Sequence, residues 1–150
     1  SDETAALLET GGGLKHALPL LGHSPVLTMN TDAIWQGPNP LTAVINAWRD
    51  EMEALLLLVP RTQVFGHKGQ GDFDIDADGR LHRAPGAVYS GVQIIRTEGL
   101  RHITEKAFSL NLLWNQIAAR GGLYGTLYSG QWCDVGHPGS IPVAESLLNV

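Results

Sequence analysis

Two aspartates next to apolar segments are the residues best suited to chemistry in this sequence. Asp32 follows the apolar run of residues 25–29, and Asp134 lies in the later motif QWCDVG. Ligands of open α/β sheets collect at the carboxyl ends of strands, where aspartates in such positions would lie. Mg²⁺ commonly takes one or two carboxylates together with phosphate oxygens of a substrate. The pair therefore predicts a site for a divalent metal (Mg²⁺ or Mn²⁺) that serves phosphoryl or nucleotidyl chemistry.

Each of these residues also has a simpler explanation. A lone aspartate after a strand often caps a helix or forms a turn, and this applies to both Asp32 and Asp134. Trp35, close to Asp32, is open to two roles: stacking on the ring of a ligand, or covering the edge of the sheet. The metal hypothesis depends on the two carboxylates meeting in the folded chain.

A triple glycine at residues 11–13 precedes apolar residues at helical spacing, and predicts a flexible turn followed by a helix over residues 14–21. Backbone without side chains can approach a base or a phosphate closely, and a helix N-terminus favours anions. The signal is weak, because the segment lacks the Lys-Ser/Thr ending of a P-loop and the spacing of a dinucleotide fingerprint.

The remaining pattern alternates strands with helices, which predicts a layered βα sheet. Strands are expected at residues 26–29, 54–59, 88–95, 123–128 and 132–135, and further helices at residues 40–52, from 109 to about 120, and from about 138 to the end. The second helix is expected to open with the cap Asn39 and to bury Leu41, Val44, Ile45 and Trp48.

Residues 72–82 alternate and turn at Asp78-Gly79, which predicts a β-hairpin inserted into the sheet. The segment has a superficial likeness to a calcium loop, but the glycine and the final glutamate that such a loop needs are not at the required positions. A metal-dependent phosphatase built on Asp74 and Asp76 has the right spacing, but a polar hairpin is the wrong setting for it.

Composition excludes several classes of function. The 150 residues, of which 43% are hydrophobic and 17% charged, suit a single domain spanning residues 1–150. The net charge of −5 and the scattered lysines and arginines argue against binding to nucleic acid or to an anionic membrane surface. One cysteine, Cys133, and no signal-peptide pattern predict a cytoplasmic enzyme.

Other common catalytic arrangements are not expected. The six histidines show no paired metal spacing and are interpreted as solvated or packed side chains. Cys133 is a poor candidate nucleophile, because the neighbouring carboxylate of Asp134 would raise the pKa of its thiol. The first apolar strand comes only at residue 26, so we expect the chain to lack the front of its domain and to represent about its C-terminal two thirds.

Taken in order, the motifs LLETGGGLKHALPLLG, PVLTMNTDAIW, DFDIDADGRL, VYSGVQII, FSLNLLW and GQWCDVGHP resemble the sugar-phosphate nucleotidyltransferases over residues 3–148. The resemblance is strongest to the branch that uses N-acetylmuramate 1-phosphate or mannose 1-phosphate. It implies a Rossmann-like three-layer α/β sandwich with a mixed, mainly parallel sheet. It also implies transfer of a nucleoside monophosphate from a nucleoside triphosphate to a sugar 1-phosphate, with Mg²⁺ (or Mn²⁺) as the cofactor.

The resemblance assigns roles by matching position. Asp32 and Asp134 would hold the metal and form the catalytic pair. The other residues assigned by the resemblance would contact the nucleotide or the sugar: Glu9, Gly12, Gly13, Gly91 and Trp132. Trp35 is added to this set from its position beside Asp32. UTP with N-acetylmuramate 1-phosphate is the expected substrate pair. The alternatives are guanylyl transfer to mannose 1-phosphate and thymidylyl or uridylyl transfer to glucose 1-phosphate.

Two departures from the family pattern leave a further alternative open. The glycine-rich loop with its arginine and the following lysine, which grip the triphosphate in this family, are not present in the sequence. The Glu-Lys-Pro motif after the hairpin is replaced by LHRAP, in which His82 or Arg83 would have to substitute for the lysine. A non-catalytic nucleotidyltransferase-like subunit therefore remains a second hypothesis, although a pure binding module has less need of both aspartates.

Overall fold

The computed structural model describes residues 1–149, which form four α-helices and nine β-strands. The helices are α1 (Glu9–Leu21), α2 (Pro40–Ala47), α3 (Asn111–Ala119) and α4 (Ile141–Leu148). The strands are β1 (Val26–Met29), β2 (Ala33–Gln36), β3 (Ala54–Val59), β4 (Val64–Phe65), β5 (Phe73–Ile75), β6 (Leu81–Arg83), β7 (Val88–Ile95), β8 (Leu123–Leu127) and β9 (Gln131–Asp134). Position 150, to which the last helix was expected to run, lies outside the described residues.

The central sheet has the strand order β1-β7-β3-β8. Strand β3 is buried along its whole length, as its unbroken apolar sequence predicts for a strand covered on both faces. The mixed α/β sheet is confirmed, but the expected predominance of parallel pairs is corrected within the described strands. In the central sheet only β3 and β8 are parallel, while β7 runs antiparallel to both β1 and β3. The chain passes from β3 to β7 through β-structure instead of a helical crossover, which allows the antiparallel return.

Hydrophobic clusters cover the two faces of β3. Leu56 and Leu58 point into a cluster that includes residues of α1 and α3, such as Leu14 and Leu113. Leu55, Leu57 and Val59 alternate with them and point into a second cluster. The second cluster also contains Val44 of α2 and Trp132 of β9. The result is the layered arrangement that the alternation of strands and helices predicts.

A second sheet has the strand order β2-β9-β4, and its strands contribute side chains to the second cluster. The sequence did not predict this sheet. Residues 33–36 were not among the expected strands, but they form β2, which pairs antiparallel with β9. Strand β4 is only two residues long and runs parallel to β9. Such short strands carry little periodic signal, because their pairing is decided by distant parts of the chain.

The triple glycine is part of a helix, which corrects the expected flexible turn. Helix α1 begins at Glu9, and Gly11 and Gly12 are buried within it. Their amide groups donate to the carbonyl oxygen of Phe108 at 2.8 and 3.1 Å. A β-carbon on Gly11 would collide with the ring of Phe108, and one on Gly12 with the carbonyl oxygen of Lys106. The glycines therefore serve close packing between α1 and the segment before α3.

Helix α2 begins as predicted and ends earlier. The side-chain oxygen of Asn39 accepts the amide of Leu41 at 2.9 Å and that of Thr42 at 3.3 Å, which makes Asn39 the N-cap. The helix ends at Ala47, well before residue 52. Val44 is fully buried, but Ile45, which was expected to face inward, is 57% exposed. An eight-residue helix presents only a narrow stripe to the sheet, and Ile45 lies outside that stripe.

The hairpin of β5 and β6 is confirmed. One carboxylate oxygen of Asp76 accepts the amides of Asp78 and Arg80, both at 2.9 Å, and Gly79 adopts a φ of 84°. Asp76 is therefore engaged in closing the turn and is not presented to a cation. Among the described residues, the helices are too short or too polar for any of them to cross a lipid bilayer.

Candidate active site

Pairing between β2 and β9 brings Asp32 and Asp134 together. Ala33 lies opposite Asp134 in the register of the two strands. The amide of Val135 donates to the carbonyl oxygen of Asp32 at 2.9 Å, which continues the pairing by one step. Asp32, just before β2, and Asp134, at the end of β9, thus occupy the same end of the small sheet.

The side chains of the two aspartates converge on Gly136. A β-carbon placed on Gly136 would lie 3.1 Å from Oδ1 of Asp134 and 3.1 Å from Oδ2 of Asp32. These two oxygens are therefore separated by no more than twice that distance. The amide of Gly136 donates to Oδ1 of Asp134 at 2.9 Å. Asp32 is exposed and the side chain of Asp134 is 28% exposed, so the space beside Gly136 is open to solvent.

His67 is a third residue at this position, and sequence reasoning missed it. Its Nδ1 lies 3.3 Å from Oδ2 of Asp134, and its ring centroid lies 6.1 Å from that of Trp132. His67 follows β4, and the parallel pairing of Phe65 with Cys133 carries it alongside the end of β9. A spacing rule for metal-binding histidines could not have found it, because its partner is an aspartate on another strand.

The two carboxylates agree with the coordination chemistry of a hard divalent cation. Among residues 1–149, no group of three or more His, Cys, Asp and Glu side chains is arranged to hold a metal ion. A closed structural zinc site uses four such side chains. Mg²⁺ instead keeps several water molecules and is bound through one or two carboxylates plus substrate phosphates. Asp32 and Asp134 can supply that share of the ligands, and Asp134 is held in place by His67 and Gly136.

Aromatic side chains lie on the same face of the small sheet. The ring centroids of Trp35 and Trp132 are 6.4 Å apart, and those of Trp35 and Tyr128 are 5.0 Å apart. Trp35 therefore packs against the sheet, one of the two roles left open for it, and Trp132 is 5% exposed. The indole N–H groups of both tryptophans are buried without a hydrogen-bond partner among the described residues.

Cys133 is buried, and its Sγ lies 3.1 Å from the position that a β-carbon on Gly66 would take. Burial raises the pKa of its thiol, and the adjacent carboxylate of Asp134 raises it further. The direction of this shift agrees with the effect that was expected of Asp134 on the thiol pKa, and adds burial as the larger cause.

A cavity of about 260 Å³ opens between the hairpin and the start of α3. It is lined by Thr10, Asn30, Asp72, Arg83, Tyr89, Ser109, Leu110, Asn111 and Trp114. Asn30 lies two residues before Asp32, so the cavity and the carboxylate pair are neighbours along the chain. Gly91 adopts a φ of 89°, and a β-carbon on it would lie 2.8 Å from Cβ of Asn30. The predicted site residue Gly91 therefore allows Asn30 to take its position at the cavity.

The motif LETGGG reaches the cavity through a residue that was not predicted. Thr10 lines the cavity, and its hydroxyl oxygen accepts the amide of Leu110 at 3.0 Å. Glu9, at a φ of 59°, is exposed at the start of α1. Gly12 packs against the backbone of Lys106, and Gly13 lies beside the carboxylate of Glu3. Gly12 and Gly13 therefore lie where the chain packs closely against its own neighbouring residues.

Comparison with known proteins gives two curated relatives of the same description. The chain is 38% identical, over 99% of its length, to an N-acetylmuramate alpha-1-phosphate uridylyltransferase of Caulobacter vibrioides. It is 30% identical, over 98% of its length, to the protein of that description in Neisseria meningitidis serogroup B. The chain spans 64% and 65% of the lengths of these relatives. The chain matches no protein-family model.

Solved structures show the same fold. A putative glucose-1-phosphate thymidylyltransferase from Bacillus anthracis superimposes with a TM-score of 0.73 at 16% identity. The superposition covers 98% of this chain and 62% of that protein. An identity this low speaks for the fold alone, which is the Rossmann-like fold predicted above. The chain is thus similar in sequence, over nearly its whole length, to two curated N-acetylmuramate alpha-1-phosphate uridylyltransferases, and similar in fold to a solved protein described as a putative glucose-1-phosphate thymidylyltransferase.

Proposed function

We propose that the protein carrying this chain transfers a uridylyl group from UTP to N-acetylmuramate 1-phosphate, with Mg²⁺ bound by Asp32 and Asp134. The products are the UDP-linked sugar and pyrophosphate. The observation that carries the proposal is the convergence of the two carboxylates beside Gly136, in a chain whose curated relatives are described as N-acetylmuramate 1-phosphate uridylyltransferases. That convergence also favours an enzyme over a non-catalytic subunit.

The residues present suit a reaction in which the protein aligns reactants and offsets charge. An oxygen of the sugar phosphate attacks the α-phosphorus of UTP, and the bond to the departing pyrophosphate breaks. The sugar phosphate is already anionic at neutral pH, so no activated serine or cysteine is needed, which fits the burial of Cys133. Mg²⁺, when bound, neutralises charge on the phosphates and fixes their orientation. Asp32 and Asp134 hold it, and His67 and the amide of Gly136 fix the carboxylate of Asp134.

The other site residues have supporting roles in this proposal. Gly91 gives Asn30 access to the sugar, and Trp35 and Trp132 shape the floor beside the carboxylates. Glu9, Gly12 and Gly13 border the nucleotide and the sugar at the start of α1. Gly12 packs closely against Lys106, which supports a role in which Gly12 contributes to the site through the shape of its backbone.

The test is an assay of pyrophosphate release by the intact protein with UTP, N-acetylmuramate 1-phosphate and Mg²⁺. We expect stoichiometric formation of the UDP-linked sugar and loss of activity when the metal is chelated. Formation of product only from GTP with mannose 1-phosphate, or only with glucose 1-phosphate, would contradict the substrate pair but not the reaction. No product from any of these pairs, with a protein shown to be folded, would refute the enzymatic proposal and favour the subunit.

A further inference from the structure

Arg83, at the end of the hairpin, is held at the cavity by neutral groups. Its guanidinium lies 4.4 Å from the ring centroid of Phe73 and 5.8 Å from that of Trp114. One of its nitrogens donates to the side-chain oxygens of Asn111 and Asn115. Aromatic faces and amide oxygens fix the orientation of a guanidinium without neutralising its charge.

The charge of Arg83 is not matched by an ion pair with any carboxylate in the described part of the chain. Asp72 lines the same cavity, but one of its oxygens accepts the amide of Tyr89 at 2.8 Å. Partial burial lowers the pKa of Arg83, and the charge of Asp72 acts in the opposite direction. A partly desolvated guanidinium with unused N–H donors favours an anionic ligand, because charge-assisted bonds to a planar carboxylate match its fork.

The cavity itself suits a small polar ring. Its volume of about 260 Å³ is near the lower limit for ligand pockets. Tyr89 and Trp114 form an aromatic wall with ring centroids 4.8 Å apart. Thr10 and Asn30 add polar groups to the lining. An apolar wall with a few polar groups is the usual composition of a site that orients a small molecule.

We propose that this cavity receives the sugar of the sugar 1-phosphate, and that Arg83 selects an acidic sugar by binding its carboxylate. The inference rests on the proposed function, in which the substrate carries both a phosphate and the carboxylate of a muramic acid. Asp32, Asp134 and Gly136 do not line this cavity. In this proposal the phosphate lies at those residues, and Arg83 meets the carboxylate of the sugar.

The test compares sugar 1-phosphates that differ in the acidic group. N-acetylmuramate 1-phosphate carries the carboxylate, and N-acetylglucosamine 1-phosphate does not. In Arg83→Gln we expect the KM for the first sugar phosphate to rise at least tenfold. The KM for UTP should change less than twofold. The same is expected for the second sugar phosphate, measured as its KM if it is a substrate or as its inhibition constant if it is a competitor. Arg83→Lys should fall between wild type and Arg83→Gln, because it keeps the charge but loses the planar fork.

Controls separate this inference from folding and from the proposed function. Arg49→Gln removes an arginine whose exposed side chain pairs with Glu51, and should leave all constants unchanged. Wild-type affinity for N-acetylglucosamine 1-phosphate in Arg83→Gln shows that the cavity is intact. If Arg83→Gln weakened the binding of both sugar phosphates equally, carboxylate selection would be refuted. Arg83 would then either bind the phosphate or have only a structural role. If wild-type protein binds and turns over neither sugar phosphate, the proposed function fails first.

Discussion

The carboxylates of Asp32 and Asp134 both approach Gly136, each with one oxygen 3.1 Å from the position that a β-carbon on that glycine would take. Residues far apart in sequence meet here because β2 and β9 are neighbours in the small sheet. The arrangement is fixed by backbone pairing, so changes in the two side chains can be made with little effect on the fold.

Replacing either carboxylate by its amide should impair the reaction. Asp32→Asn and Asp134→Asn each keep the size of the side chain but remove the charge that holds Mg²⁺. We expect kcat/KM to fall at least tenfold, a loss of about 1.4 kcal/mol or more of transition-state stabilisation. Asp78→Asn, in the exposed hairpin turn, is the matched control and should retain activity. Wild-type turnover by either site variant at limiting Mg²⁺ would refute the assignment.

A methyl group on Gly136 should disturb the same site from the backbone. In Gly136→Ala the new carbon would be in tight contact with both carboxylates and would push at least one of them aside. We expect turnover to fall about tenfold, since small displacements of catalytic groups have effects of this order or larger. Gly139→Ala in the same loop meets only the ring of His137, at 3.2 Å, and serves as the control. Equal activities of the two variants would show that the space between the carboxylates is not used.

His67 is expected to act through Asp134. Removing the imidazole in His67→Ala frees Oδ2 of Asp134 to rotate, so the Mg²⁺ concentration for half-maximal activity should rise about tenfold. His67→Gln retains a donor and should recover part of the loss. Direct titration with Mn²⁺, followed by electron paramagnetic resonance, gives a readout independent of turnover. His23→Ala, an exposed histidine, is the control, and an unchanged metal affinity in His67→Ala would contradict the role.

Tyr89 and Tyr128 are expected to make the stability of the fold fall at alkaline pH. Burial raises the pKa values of Tyr89 and Tyr128 above the ordinary value of 10.0. Above about pH 10 the unfolded chain loses these protons while the folded protein keeps them, so unfolding becomes more favourable. The free energy of unfolding should drop by up to about 1.4 kcal/mol per pH unit for each tyrosine. Denaturant titrations between about pH 9 and 11 should show a shallower decline in Tyr89→Phe and Tyr128→Phe, and an unchanged slope would contradict this account.

The sequence predicts the parts of the fold that have strong local patterns. Strand β3 could be recognised because its continuous apolar run can only be buried on both faces. The cap Asn39 and the hairpin turn at Gly79 were predicted for equally local reasons. Strand β2 was missed, since four residues of mixed character have no periodic signal and gain their pairing only from β9. The direction of β7 depends on how the chain returns from β3, which no local pattern encodes.

The site was predictable only where residue type alone points to chemistry. Asp32 and Asp134 could be singled out as carboxylates beside apolar runs, and their meeting depended on a sheet that the sequence does not reveal. His67 was missed, and Arg83 was considered only as a substitute for the lysine of the family motif, because their neighbours Asp134 and Trp114 come from distant elements. The glycines of α1 were interpreted as a ligand-facing turn for the same reason, since their contact with Phe108 is also a long-range one.

The hydrogen bonds between α1 and the segment before α3 have a consequence for ligand binding. The amides of Gly11 and Gly12 bond to Phe108, and the amide of Leu110 bonds to the hydroxyl of Thr10. Thr10 and Leu110 therefore form one wall of the cavity that is already assembled before a ligand arrives. The entropy of ordering this wall is lost during folding, so a sugar meets it at little further cost.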